Sequence, residues 1–324
     1  MTRNGPAVVV SRHGGPETLV LSRTETPEPG TGQVLVEVAC AGVNFIDIYQ
    51  RQGVYPRDLP FVPGSEGVGR IAAVGEGVDR LQVGDRVAWH GAPGSYAQWV
   101  LAPAAELLPV PDDIGDEHAA ALPLQGLTAH YLATSSYAIR PGDTVLVHAG
   151  AGGVGLLLTR IAKILGAVVL TTVSSPAKAE ASLAAGADQV LGYEDFPERV
   201  RELTAGEGVH AVYDGVGAST YERSLQSLRR RGSLVLYGGA SGQVPPIDPQ
   251  RLAQGGSLTL TRPTLRDFVA DRQELEQRFG QLLQWYSGNG LRPHIHRSYP
   301  LSEAAAAHRD LADRATIGKL LLVP

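Results

Sequence analysis

Thr144-Val145-Leu146-Val147-His148-Ala149-Gly150-Ala151-Gly152-Gly153-Val154-Gly155 is the stretch on which the reading of the fold turns. Thr144–Val147 reads as a short buried strand, and Leu156–Leu165, past the last glycine, reads as a helix. Between them Gly150, Gly152 and Gly155 satisfy G-x-G-x-x-G. In a chain with 39 glycines the spacing alone carries little weight. The order strand, glycine bend, helix gives it a physical meaning. Glycine lets the backbone turn sharply and approach a pyrophosphate, and the helix N-terminus presents free N–H donors and a partial positive charge. Gly150, Gly152, Gly153, Val154 and Gly155 are therefore expected to cradle a dinucleotide.

The next strand, Ala167–Val173, should end at the adenosine ribose. Proteins that bind NAD place an Asp or Glu there, roughly 20 residues past the glycines. Here the segment reads Thr171-Thr172-Val173-Ser174-Ser175-Pro176-Ala177-Lys178, with no carboxylate before Glu180. An acid would repel a 2′-phosphate, whereas a hydroxyl and an ammonium attract it. Ser174 and Lys178 thus point to NADPH rather than NADH. The chain has only three lysines, Lys163, Lys178 and Lys319, and the competing reading of Lys178 is a solvated helix-surface residue.

Further out, strand candidates (Gln189–Leu191, Ala211–Tyr213, Ser233–Tyr237, Ser257–Thr261) alternate with helical stretches (Pro176–Ala185, Phe196–Thr204, Thr220–Arg230). Strands of nearly pure apolar residues between helices mean a parallel sheet covered on both faces. The first third differs. It is rich in Gly and Pro, with short apolar runs at Ala7–Val10, Val34–Ala41, Gly67–Val74, Arg86–Trp89 and Tyr96–Leu101, and reads as a compact β domain with few helices. An Asp-led run over Asp112–Ala121 looks helical. The last sixty or so residues end in the strand-like Lys319–Val323 and are expected to return to the first domain. The fold class is α/β, with domains at 1–125 plus 263–324 and at 126–262, the second a doubly wound Rossmann sheet.

Composition agrees. A chain of 324 residues suits two domains. Its 43% apolar content can bury a sizeable core, and a net charge of −5 argues against a nucleic-acid surface. The single cysteine, Cys40, excludes an internal disulfide framework and fits a reducing cytoplasm. The start, Met1-Thr2-Arg3-Asn4-Gly5-Pro6, lacks a signal-peptide apolar stretch, and no apolar run is long enough to span a bilayer.

Asn44-Phe45-Ile46-Asp47, Pro63-Gly64-Ser65-Glu66-Gly67-Val68-Gly69, Val83-Gly84-Asp85-Arg86-Val87, the glycine bend and Ala185-Gly186-Ala187-Asp188 together resemble the medium-chain dehydrogenase/reductase superfamily. End to end, the chain is similar to its zinc-free quinone oxidoreductase branch, which includes zeta-crystallin. Gly14-Gly15-Pro16-Glu17, Thr261-Arg262-Pro263 and Arg314-Ala315-Thr316 place it near the bacterial NADPH:quinone oxidoreductases. The resemblance implies a GroES-like β domain plus a Rossmann domain, with the cofactor in the cleft between them. It also implies a homodimer paired through the edge strand Ser257–Thr261. Zinc relatives carry Cys and His where this chain has Asn44 and Ser65, so no metal is expected.

The loss of zinc agrees with a more electron-poor acceptor. Hydride addition to a quinone spreads the charge over a ring, and a few neutral donors suffice. Asn44, Asp47, Tyr49, Arg51 and Tyr55 are the donor-bearing cluster. By resemblance, Asn44, Asp47, Tyr49 and Tyr55 line the nicotinamide end, and Tyr55 is expected to contact the acceptor. The competing reading of both tyrosines is packing against a flat ring. Thr128, Tyr193, Gly238, Arg262 and Lys319 carry over as cofactor contacts, with internal ion pairing as the alternative for Arg262 and Lys319. The expected activity is NADPH:quinone reduction. The alternatives are reduction of activated alkenes (enals, enones) and an NADPH-binding, RNA-binding protein with little catalysis. Cys40 reads as core, the nine histidines show no metal spacing, and Arg229-Arg230-Arg231 reads as a helix end.

Overall fold

The structure, a computed structural model, describes residues 2–324; Met1, where the expected first domain begins, lies outside the described residues. The chain divides into two units, one reaching to Leu124 and completed by Pro293–Pro324, the other spanning Gln125–Arg292.

The first unit opens with an antiparallel hairpin, β1 (Arg3–Val10) and β2 (Leu19–Thr26). β3 (Gln33–Val43) follows and leads into helix α1 (Phe45–Gln52). Then come β4 (Gly67–Val74), β5 (Arg86–Trp89), β6 (Trp99–Pro103), β7 (Leu108–Pro109) and α2 (Asp116–Ala121). β3 is the hub and pairs antiparallel with both β4 and β6. Val34, Val36 and Val38 are buried and Glu37 is exposed, as period-2 alternation requires. Leu35 is buried as well, because β3 is covered on both faces.

Helix α1 was not legible as a helix. Asp47 caps it by accepting the backbone N–H of Asn44 at 2.8 Å, and Gly53 ends it at φ 79°, a left-handed position that favours glycine. Its Asp47, Ile48 and Arg51 face inward.

Helix α3 (Pro123–Tyr131) leads into the second unit. There β8 (Thr144–Val147), α4 (Gly153–Ile164), β9 (Val168–Thr172), α5 (Pro176–Ala184), β10 (Gln189–Leu191), α6 (Phe196–Leu203), β11 (Val209–Asp214), α7 (Tyr221–Ser227), β12 (Leu228–Leu236), α8 (Gln250–Gln254), β13 (Thr259–Thr261) and α9 (Arg272–Asn289) follow in turn. All six strands are parallel, in the order β10-β9-β8-β11-β12-β13. This is the doubly wound order, and it reverses beside β8, whose carboxyl end carries the glycine bend.

Two expectations change here. Arg229–Arg231 lie within β12 rather than at a helix end, since α7 stops at Ser227 and Leu228 enters the core. Residues 263–292 group with the parallel sheet rather than with the first unit. Arg278 of α9 donates to Phe268 O (2.8 Å), Ser135 Oγ (3.0 Å) and His130 Nδ1 (3.1 Å), and Phe268 stacks on Tyr131 with centroids 4.4 Å apart. In sequence, an arginine on a polar helix reads as surface.

The chain then returns to the first unit as β14 (Ile295–Pro300), α10 (Ala304–Ala312) and β15 (Lys319–Val323). β15 pairs antiparallel with β3 and completes the seven-stranded sheet. No helix among the described residues is long and apolar enough to cross a membrane.

Candidate active site

In the second unit the site begins at the glycine bend. Gly150 N–H donates to Thr172 O at 3.0 Å and Gly152 N–H to Ala149 O at 2.8 Å. A Cβ at Gly150 would lie 2.5 Å from Thr171 Cβ, and one at Gly155 would lie 2.3 Å from Ala149 O. These two glycines let bend, strand and helix pack together. Gly152 is different, since its nearest neighbour would be Ala149 O at 3.2 Å. That open side, at the N-cap of α4, is the cradle a pyrophosphate fits. Gly153 is covered by the side chain of Gln125, and Val154 is half-buried.

At the end of β9, Lys178 Nζ donates to Ser174 Oγ at 3.2 Å, and Ser175 caps α5. The structure brings hydroxyl and ammonium together with no carboxylate between Thr171 and Ala179. The residues present therefore fit NADPH. Tyr193 is turned toward the bend, where its hydroxyl accepts the N–H of Ala149 at 3.1 Å.

Below the bend lies a buried polar string. His148 Nδ1 meets Thr172 Oγ1 (2.7 Å) and its Nε2 meets Ser224 Oγ (2.9 Å), while Ser224 donates to Asp214 Oδ2 (2.8 Å). Burial pushes the His148 pKa down. Gly238 follows β12, and a Cβ there would lie 2.5 Å from Gly215 O. Thr128 is buried on α3, and Arg262 is exposed with Nη1 donating to Pro263 O at 3.2 Å.

The first unit holds a second constellation. Asn44 Nδ2 donates to Glu66 Oε2 (2.9 Å) and Gly42 O (3.4 Å), so both amide hydrogens are taken. Lys319 Nζ donates to Glu66 Oε2 (2.5 Å) and Asn44 Oδ1 (2.7 Å), and Leu124 N–H reaches Glu66 Oε1 (2.7 Å). Lys319, expected at the cofactor, is 1% exposed and held in this ion pair. Asp47 Oδ2 accepts from Asn44 N and from Tyr96 Oη (2.9 Å), and burial raises its pKa to about 6 against these two bonds. Tyr49 meets Tyr55 edge-on with centroids 5.4 Å apart, and Tyr55 is 42% exposed.

Arg51 does not belong with these donors. It is buried on the inner face of α1, where Nε donates to Gly14 O (3.1 Å) and Nη1 to His308 Nδ1 (3.2 Å). Sequence reasoning missed Tyr96 and His308, which lie far from Asp47 in sequence and follow no spacing rule. Among the described residues, no three His, Cys, Asp or Glu side chains converge to hold a metal.

A parallel sheet of order 3-2-1-4-5-6 with a glycine bend at its switch point, joined in one chain to a β-rich unit, defines a two-domain nicotinamide dinucleotide reductase or dehydrogenase. The description "Alcohol dehydrogenase GroES-like domain" matches residues 30–112, and "Zinc-binding dehydrogenase" matches residues 153–287. The chain is 41% identical to quinone oxidoreductase 1 of Escherichia coli, over 97% of this chain and 98% of the relative. It is 40% identical to a 2-haloacrylate reductase of a Burkholderia species, over 98% of each. A mycobacterial structure solved with NADPH superposes with TM-score 0.96 at 49% identity, covering 99% of this chain and 100% of that one. The chain belongs to the quinone oxidoreductase family of the medium-chain dehydrogenase/reductase superfamily.

Proposed function

We propose that this protein is an NADPH-dependent quinone reductase that works without a metal. The observation that carries the cofactor is the Ser174–Lys178 pair at the end of β9, in a segment free of carboxylates. Bound NADPH supplies a hydride from C4 of its nicotinamide. The amides opening α4 meet the pyrophosphate, Ser174 and Lys178 meet the 2′-phosphate, and Thr128, Tyr193, Gly238 and Arg262 complete the cofactor contacts. A charge-assisted bond to phosphate contributes roughly 1.5–3 kcal/mol.

For the acceptor, Tyr55 is the donor, its half-exposed phenol offering an O–H to a developing oxyanion. Tyr49 steadies that ring edge-on, and Asn44, with its amide hydrogens spent on Glu66 and Gly42, orients rather than donates. Zinc does not fit the residues present. Glu66 is committed to Lys319, Asn44 and Leu124, and Asn44 and Ser65 replace the soft ligands. Lys319 is accordingly assigned to hold Glu66 and Asn44. A quinone needs no Lewis acid, which agrees with this set. The reading includes a cytoplasmic homodimer paired through the expected Ser257–Thr261 edge. The strand there is shorter than expected, β13 covering Thr259–Thr261 because Ser257 is left-handed (φ 58°), and it has a sheet neighbour on one side only.

A panel of acceptors with NADPH as fixed donor tests the reading. A naphthoquinone should turn over faster than a 2-alkenal or a 2-haloacrylate. The reverse order would favour alkene reduction, the reading to which the 40% identical 2-haloacrylate reductase lends weight. Lys178→Ala should raise the Michaelis constant for NADPH several-fold and leave NADH nearly unchanged; equal effects would reject the 2′-phosphate role.

A further inference from the structure

Four side chains of the first unit form one hydrogen-bonded chain, and chemistry allows its protons a single arrangement. Arginine has no acceptor, so Arg51 Nη1 donates to His308 Nδ1 at 3.2 Å. The neutral imidazole then carries its proton on Nε2 and donates it to the Tyr96 hydroxyl oxygen at 3.1 Å. Tyr96 in turn gives its own proton to Asp47 Oδ2 at 2.9 Å. Burial, with the neighbouring guanidinium, pushes His308 down to about 3, so the imidazole stays neutral. All four residues are buried.

A chain like this costs desolvation at every member, and apolar residues of similar shape would fill the space as stably. Its donors all run one way, toward Asp47. One oxygen of Asp47 takes both Tyr96 and the backbone N–H of Asn44, and the other, Oδ1, is buried with no partner. The residue whose N–H it holds opens α1, and Tyr49 stands one turn further on.

We infer that Tyr96 and His308 are positioning residues for the reaction: through Asp47 they keep a carboxylate rather than a carboxylic acid at the start of α1, and so fix Asn44 and the Tyr49–Tyr55 pair. The inference rests on the reductase reading above. Hydrogen bonds to a charged acceptor are about twice as strong as those to a neutral one, so protonating Asp47 loosens the grip on Asn44. The groups acting on Asp47 are Tyr96 directly, His308 of α10 and Arg51 of α1 through it, Lys319 of β15 favouring the charge, and Glu66 opposing it.

The test is kcat against pH for the wild type, Tyr96→Phe, His308→Leu and His308→Gln, with thermal midpoints measured in parallel. The wild-type acid limb should fall near pH 6, the value to which Asp47 is raised. Tyr96→Phe and His308→Leu should move it upward by about one pH unit and lower kcat several-fold at neutral pH, with the NADPH Michaelis constant unchanged. His308→Gln, which offers an acceptor to Arg51 and a donor to Tyr96, should restore the wild-type limb. Nitrogen NMR of the wild type should show His308 neutral and protonated on Nε2 from about pH 5 to about pH 8. Variants that melt earlier yet keep the wild-type limb and kcat would overturn the inference, as would a His308 that titrates in that range. A wild type inactive on quinones but active on a 2-alkenal would refute only the acceptor assignment, and the same profile measured on the alkenal would still decide the chain.

Discussion

Asp214 in the second unit and Asp47 in the first are both fully buried, yet they are held in opposite ways. Asp214 Oδ1 accepts from the N–H groups of Val216 (2.9 Å) and Gly217 (3.0 Å), and the hydroxyls of Thr220 and Ser224 reach Oδ2 at 2.8 Å each. Both of its oxygens are matched. Asp47 has two donors on one oxygen and none on the other, and burial lifts its pKa to about 6. Glu66 is a third solution, matched by the ammonium of Lys319. A buried carboxylate stays charged in proportion to the donors aimed at it. The second unit meets its buried acid with neutral dipoles alone. The GroES-like unit supplies one full counter-charge and one half-matched acid.

That contrast can be broken most severely at Lys319. Lys319→Met strands the Glu66 charge in the core and should cost about 3–5 kcal/mol in urea unfolding, with most of it recovered by adding Glu66→Gln. Next comes Asp214→Ala, which leaves the amides of Val216 and Gly217 without an acceptor and the hydroxyls of Thr220 and Ser224 with only the carbonyls of Gly217 and Thr220; a loss of about 2–3 kcal/mol is expected by the same measurement.

Acid sharpens the comparison. Burial holds His308 at about 3 and His130 at about 4, both below the ordinary 6.5. The unfolded chain therefore takes up protons that the fold refuses, and the stability these groups confer above pH 6.5 drains as pH falls toward 4 and 3. Asp47 runs the other way. Its raised pKa means the fold binds its proton more tightly than the unfolded chain does, so lowering pH from about 6 to its ordinary 3.8 favours the fold. With two histidines against one aspartate, the thermal midpoint should fall with acid, and His130→Gln should flatten that slope. The smallest effect on stability belongs to Asp47→Asn, within about 1 kcal/mol at neutral pH, because the amide oxygen still accepts from Asn44 and Tyr96. A loss matching that of Asp214→Ala would dissolve the distinction between the two sites.

The second unit was the more legible. Thr144–Val147 and Gln189–Leu191 are strands as read, and Pro176 and Phe196 start their helices, because apolar runs and turn residues are local signals. The contact between Ser174 and Lys178 is a local one as well, since the two are four residues apart and a helical start brings them together. In the first unit β4 and β5 were read to the residue, but α1 was not. Its eight residues take their stability from Asp47, Ile48 and Arg51 packing inward, a tertiary effect. The Glu66–Lys319 pair and the Arg51–His308–Tyr96 chain were hidden for the same reason. Each joins strands or helices distant in sequence, and only the pairing of β15 with β3 and the placing of α10 bring them together.

The pairing of β15 with β3 also sets an order of assembly on the ribosome. Glu66 leaves the tunnel 253 positions ahead of its counter-ion, and all of Gln125–Arg292 emerges in between. The inserted unit holds its own sheet and its own satisfied acid, so it can close while translation continues. The flanking unit waits, its central strand one neighbour short and Glu66 unneutralised, until Lys319 arrives.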